Sequence, residues 1–292
     1  MSDLSPSATD TITWRTSLVT LGARTGAVPL VGLVIWLCLL FVAIVGPYLD
    51  PVNPFSIVAK PRTPPFMTMQ VPLGSDYLGR SVLSGLVHGA LVTLEVGIGA
   101  ALFTVIIGVT VGALAGFYGR RTETILMGIT EFFQVLPPLL LAMVLILVFT
   151  PTTLTVIGAI GATNWPPIAR VTRAEILSIK QREFVTASRA VGASDWHLIW
   201  RVILPNILPS IIVLSTLLVG TAVLFQASLS FLGLTDQNVM SWGLMIGQSR
   251  DYIFSTWWAV TFPGLAIILA VLAISFIGDG LSDFLTQRGR HL

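Results

Sequence analysis

The sequence predicts an all-α integral membrane protein with six spanning helices, and three observations carry that prediction. Of 292 residues 54% are hydrophobic and only 10% charged, with a mean hydropathy of +0.87; soluble domains carry about 25% charged residues. Five uncharged runs, Val28–Gly46, Val96–Gly119, Phe132–Ala169, Val202–Thr235 and Tyr252–Gly278, interrupt the charged segments. A spanning helix needs about 20 apolar residues, so the third run is long enough for two spans, with "FTPTTLT" (Phe149–Thr155) as the turn between them. The runs are too long and too rich in Leu, Ile and Val for period-two barrel strands. The third observation is charge. With the N-terminus inside, Arg15, Arg24, Arg120, Arg121, Arg170, Arg173, Lys180, Arg182, Arg189, Arg201, Arg288 and Arg290 fall on inner segments, against Lys60, Arg62, Arg80 and Arg250 outside. That bias follows the positive-inside rule and puts both termini in the cytoplasm.

Residues 1–26 form a polar cytoplasmic segment. The first span follows it, longer than a usual signal h-region and without a small-residue cleavage site, so it is retained. It holds the single cysteine, Cys38, which excludes an intrachain disulfide. Residues 27–89 comprise this span and an external segment with prolines at 47, 51, 54, 61, 64, 65 and 72, a density that favours extended backbone. The segment ends in "GSDYLGRSVLSGLVHGA", where Ser75 or Asp76 caps a short interfacial helix with Leu78, Val82, Leu86 and Val87 on one side. Five helices lie within 90–280. The second span, about 90–116, carries Gly97, Gly99, Gly108, Gly112 and Gly116, small residues that let helices approach closely. Spans three and four form a hairpin from about Met127 to Ala169, with Pro137–Pro138 in one arm and "WPP" (Trp165–Pro167) in the other as expected breaks. Span five covers about 207–229 and span six about 257–277, with Tyr252, Phe254, Trp257 and Trp258 as an interfacial belt. Residues 281–292 form a cytoplasmic tail.

The loop at about 174–205, between spans four and five, contains "REFVTASRAVGASDWHLIWRVILPN" (Arg182–Asn206), unusually polar for this chain. Phe184, Ala187 and Val191 recur at helical spacing, and Gly192 suits the left-handed residue that ends a helix. Ser194 or Asp195 then caps a second helix carrying Leu198, Ile199, Val202 and Ile203 on one side, until Pro205 interrupts it.

This run resembles the cytoplasmic loop signature of ABC importer permeases, in which Glu-Ala-Ala is followed by glycine and later by Leu-Pro. Here the triplet reads Thr186, Ala187, Ser188, the glycine is Gly192, and Leu204–Pro205 closes the motif. The blocks "PLGSDYLGRSVLSGLVHGA", "WPPIARVTRAEILSIKQREFV", "ILPNILPSIIVLSTL", "QASLSFLGL" and "FPGLAIILAVLAISFIGDGLSDFL" are similar to the C-type permease subunit of dipeptide, oligopeptide and nickel importers, from about Ala27 to the C-terminus. The resemblance implies a type I importer permease fold and a binding-protein-dependent importer of the bacterial or archaeal inner membrane. Its partners would be a second permease in a pseudo-symmetric heterodimer, two cytoplasmic ATPases carrying ATP and magnesium, an external binding protein and membrane lipid. Small peptides are the implied cargo, with nickel complexes or another small solute as the alternative. The helix ending at Gly192 would be the coupling helix, with Glu183, Thr186, Ala187, Ser188, Ala190, Gly192 and Ala193 at the ATPase contact. Three positions depart from the family: Thr186 replaces its usual Glu, Ser81 its usual Asp and Gln226 its usual carboxylate.

Other function classes find little support. A phosphate loop needs glycine directly before lysine, whereas Lys60 follows Ala59 and Lys180 follows Ile179, so ATP chemistry must come from another chain. His88, His197 and His291 lack metal-ligand spacing, no serine has a base arrangement for nucleophilic catalysis, and the basic inner face is a topology signal rather than a nucleic-acid site. A proton-coupled carrier would rest on Glu95, Glu131 and Asp279; the latter two lie near inner span ends, within reach of Arg120 or Arg288. Glu95, an intramembrane carboxylate, and Gln226 are the pathway candidates.

Overall fold

The computed structural model describes residues 26–289, with side chains as far as Leu285; Arg15, Arg24, Arg290, the pairing expected of Arg288 and most of the N-terminal segment lie outside the described residues. The helices run α1 (Ala27–Leu49), α2 (Val82–Tyr118), α3 (Arg120–Val135), α4 (Pro138–Val148), α5 (Thr153–Asn164), α6 (Pro166–Ile179), α7 (Glu183–Ala190), α8 (Asp195–His197), α9 (Leu204–Phe231), α10 (Trp242–Ser249) and α11 (Trp258–Gly289). Among the described residues, four are long and apolar enough to cross a membrane: α1, α2, the continuous helix from Asp195 to Phe231, and α11. The pair α3–α4, bent by 90° at the expected Pro137–Pro138 break, is a fifth if taken as one span. The remaining arm of the predicted hairpin is α5 followed directly by α6, joined at Trp165 with helical backbone and with Pro166 in the first turn of α6, where proline's missing N–H costs nothing. This arm is less apolar because it is an interior element. Val156, Ala159, Ile160, Ile168, Ala169 and Ile176 are buried, and it packs along α2.

The centre of the bundle is α2, 37 residues and about 55 Å long. It contacts α1, α3, α5, α6, α9, α10 and α11 and leaves exposed a stripe through Leu91, Glu95, Ile98, Leu102 and Ile106 that continues through Thr110, Leu114 and Tyr118, with Phe103 beside it. Its glycines make that crowding feasible. Gly108, Gly112 and Gly116 recur every fourth residue and meet α6; a Cβ at Gly108 would lie 2.6 Å from Ile168 Cβ, and one at Gly112 2.7 Å from Thr172 Cβ.

Two expectations change. No separate interfacial helix precedes the second span: α2 begins at Val82 and runs unbroken past residue 90. Ser81 caps it, its hydroxyl accepting from Ser84 N–H at 3.2 Å, a role that the family's Asp would fill equally well. Ser75 and Asp76 instead fasten the external segment. Ser75 Oγ donates to Lys60 O at 2.6 Å, and Asp76 Oδ1 accepts from the backbone N–H groups of Leu78 and Arg80, both at 2.8 Å. Val82 and Val87 are buried because this end of α2 sits inside the protein. The second change concerns Pro205, which does not interrupt its helix. Leu198–Ile203 widens into a π segment, with Leu204 N–H donating to Ile199 O. The wider turn accommodates a ring that would collide with the carbonyl four residues back in a regular helix.

Prolines 51–72 give an open external segment whose described residues form only isolated bridges, Ile57 with Arg80 and Ser75 with Ser81. It is held to the bundle by Trp258 Nε1–H donating to Ser75 O at 2.9 Å and by Tyr77 stacked on Tyr252 at 4.4 Å.

Candidate functional site

At the opposite end of the bundle, α7 projects as an eight-residue helix with a single buried residue, Val185. Val185 enters a cluster with Phe117 of α2, Ile176 of α6, Leu198 and Ile203 of the π segment, and Ile207 of α9. Two cations fasten the same corner: Lys180 Nζ donates to Phe117 O, and the Arg189 guanidinium lies 5.8 Å from the Phe117 ring centroid. A displacement of α7 therefore bears directly on α2, α6 and the helix from Asp195 to Phe231.

The end of α7 is a complete left-handed cap. Gly192 has φ +86; its N–H donates to Arg189 O at 3.0 Å and that of Ala193 to Ser188 O at 3.2 Å. These are the paired bonds of a Schellman motif, which satisfy carbonyls that the helix terminus would leave open. Ser194 then caps the following helix, accepting from His197 N–H at 3.3 Å.

The structure brings the expected coupling residues to one surface. Glu183, Thr186, Ala187, Ala190 and Gly192 are exposed, and Ser188 and Ala193 partly so. Glu183 sits in the first turn of α7, where a carboxylate suits the helix dipole. The Phe184, Ala187 and Val191 repeat faces outward, with Val191 85% exposed, while Val185 turns inward. The apolar spacing thus marked a face offered to solvent or a partner rather than a core face. Trp196 and Trp200, with ring centroids 5.1 Å apart and both exposed, extend the same surface; sequence reasoning missed them because tryptophan in a membrane protein is first read as an interfacial anchor.

The pathway candidates do not share a surface. Glu95 is exposed on the bare stripe of α2. Gln226 is 1% exposed, and its Nε2 donates to Ser230 Oγ at 2.9 Å, which in turn bonds Thr235 Oγ1 at 2.9 Å. It lines a small cavity with Val92 and Val239, two residues that also line an open groove on the other side. Val92 and Val239 thus border both spaces, while Glu95 lines neither and lies one helical turn along α2 from Leu91, which lines the groove. Of the carrier candidates, Glu131 shares a cleft with Arg170 and Arg173, but Arg173 pairs with Glu123 and Arg170 donates to Gln134 at 2.9 Å. Asp279 is exposed.

Residues 108–291 match the family of binding-protein-dependent transport system inner membrane components. The chain belongs to that family. It is an ABC-importer permease subunit, an all-α membrane protein as the loop signature implied. It is 38% identical to the di/tripeptide transport system permease protein DppC of Pseudomonas aeruginosa over 88% of this chain and 87% of that one. The dipeptide transport system permease protein DppC of Bacillus subtilis is 38% identical over 89% of this chain and 82% of its own length, and that of Alkalihalophilus pseudofirmus 35% over 94% and 90%. Among solved structures, an inward-facing form of the MetNI methionine ABC transporter superposes with a TM-score of 0.57 at 24% identity. The match covers 68% of this permease and 95% of that chain and supports the fold.

Proposed function

We propose that this permease subunit forms half of the translocation pathway for short peptides, paired with a second and different permease, driven by two cytoplasmic ATPases and supplied by an external binding protein. The observation that carries the cargo is the 38% identity, over nearly the full length of both chains, to a di/tripeptide permease. The dipeptide permeases of Bacillus subtilis and Alkalihalophilus pseudofirmus point the same way. The α7 end faces the cytoplasm and the proline-rich segment faces outward, in keeping with the charge bias. Glu183, Thr186, Ala187, Ser188, Ala190, Gly192 and Ala193 meet a cleft on one ATPase. Closure of the ATPase pair pushes α7, and the Val185 and Phe117 contacts pass the motion to α2, α6 and α9. Thr186 cannot supply the carboxylate of the usual motif, so docking rests on shape: small residues at 187 and 190 and the apolar flank of Phe184 and Val191. Glu95 faces the pathway, and Gln226 braces the bundle from inside. ATP and magnesium bind the partner subunits.

The direct test is uptake of a radiolabelled dipeptide by the reconstituted complex with its binding protein. ATP-dependent accumulation is expected; uptake only of a metal complex or of a sugar would contradict the cargo. The isolated permease should neither bind nor hydrolyse ATP, and stoichiometric nucleotide binding by it would contradict the division of labour. Topology has its own check. In a Cys38→Ser background, Lys60→Cys should react with impermeant maleimide from outside and Lys180→Cys only after the membrane is opened; external labelling of both would contradict the arrangement.

A further inference from the structure

Glu95 lies about 20 Å along α2 from its Val82 end and about 35 Å from Tyr118, inside the spanning part of the helix. Its neighbours along the bare stripe are Leu91, Ile98 and Leu102, all exposed. Among the described residues its carboxylate has neither an ion pair nor a hydrogen bond. A carboxylate on a lipid-facing stripe at this depth is expensive, and ionisable groups in spans face a bundle interior or a water-filled route. One turn towards the Val82 end, Asn53, Phe55, His88, Leu91, Asn238 and Met240 line an open groove. His88 Nδ1 is 2.9 Å from Ser84 O; a carbonyl can only accept, so Nδ1 carries a proton. The groove lining thus offers apolar walls, two side-chain amides and an imidazole, with no Lys or Arg; Arg80 lies behind it, 5.3 Å from the Phe55 ring centroid, and Glu95 stands one helical turn along α2 from Leu91.

We propose that Glu95 and this groove form a half-site for an ammonium group, the free amino terminus of a short peptide in transit. Charge complementarity selects the occupant: among the described residues the stripe holds the Glu95 carboxylate, and neither the stripe nor the groove lining holds a Lys or Arg, so a cationic group gains there. Asn53 and Asn238 suit the donor and acceptor pattern of a peptide backbone, and Phe55, Leu91 and Met240 suit an apolar side chain. The proposal rests on the peptide reading above.

The test uses the complete reconstituted transporter in a Cys38→Ser background. Leu91→Cys is labelled with positively and negatively charged methanethiosulfonate reagents of similar size, with Glu95 present and with Glu95→Gln. A nearby unit charge in partly aqueous surroundings should favour the cationic reagent, and Glu95→Gln should lower the cation-to-anion rate ratio by about tenfold. A dipeptide with a free amine should slow the labelling, whereas its N-acetylated form should not. Failure of both reagents to reach Leu91→Cys would mean that the stripe is packed against another chain and would overturn the site. A ratio unmoved by Glu95→Gln would mean that a partner's basic residue already cancels the charge, and equal protection by both peptides would mean that the amine is not read; either also overturns it. A transporter that imports no dipeptide while keeping the charge-dependent ratio overturns the peptide reading and the amino-terminal assignment with it. Retained dipeptide uptake with an unmoved ratio overturns the Glu95 site alone.

Discussion

Gly192→Val should abolish ATP-driven uptake while leaving the permease inserted, folded and present in normal amount. At φ +86 a β-branched residue is strained by about 1–2 kcal/mol. A Cβ built on Gly192 meets nothing within 4 Å, so the penalty is purely conformational and falls on the cap. Its relief requires the turn to open, which releases the paired bonds to Arg189 and Ser188 and redirects the chain between α7 and the next helix. Ala187→Glu tests the same surface by other means, since Ala187 is exposed and a longer charged side chain there alters only what α7 presents to a partner. Both variants should retain the ATPases less well in pull-down, or retain them with lost uptake, and both should lose stimulation of ATP hydrolysis by the loaded binding protein. Near-normal uptake from either would show α7 to be a passive loop.

The second large effect is expected at the helix crossing beneath it. Gly112→Leu should prevent recovery of a folded permease. A Cβ there would already come within 2.7 Å of Thr172 Cβ and press on the Ala169 carbonyl, and neither α2 nor α6 can withdraw without opening its other contacts. Overpacking costs about 1–3 kcal/mol and sometimes more, here at the upper end because backbone is met, and applied where association depends on close packing rather than on hydrophobic drive. Gly112→Ala should show a smaller loss in thermal midpoint, and Gly158→Ala, where a Cβ meets nothing within 4 Å, none. Monodisperse yield in detergent and the midpoint of unfolding read the difference; equal behaviour of Gly112→Leu and Gly158→Ala would remove the close-approach role.

Much of this was legible in the sequence because bilayer physics is coarse. Long uncharged runs, the proline breaks, the glycines of α2 and the left-handed residue at Gly192 each follow from a strong local constraint. What was not legible depended on context. The start of α2 at Ser81 rather than Ser75 or Asp76 could not be chosen by capping chemistry, since serine and aspartate both cap well, and tertiary contacts to Lys60 and Trp258 decided which one was free to do so. Pro205 carries the usual helix-breaking signal, but a π turn needs only one extra residue and leaves no mark in composition. Inward and outward faces of α7 were likewise ambiguous: an apolar repeat specifies a face, and only the packing of Val185 against Phe117 and Ile203 shows which face the bundle uses. Gln226 and Glu95 are both polar groups within apolar runs, and their separation into a buried brace and an exposed carboxylate required knowing which stripe of α2 the neighbouring helices leave bare.

The central claim is that α7 is the contact through which an ATPase moves this permease, and site-directed crosslinking tests it most directly. With Cys38→Ser as background, Ala187→Cys in the assembled complex, labelled with a benzophenone maleimide and irradiated, should give a covalent permease–ATPase adduct that maps to a cleft on the ATPase, whereas Lys60→Cys should give none. Absence of that adduct in a complex that still imports, or an adduct from Lys60→Cys instead, would contradict the account.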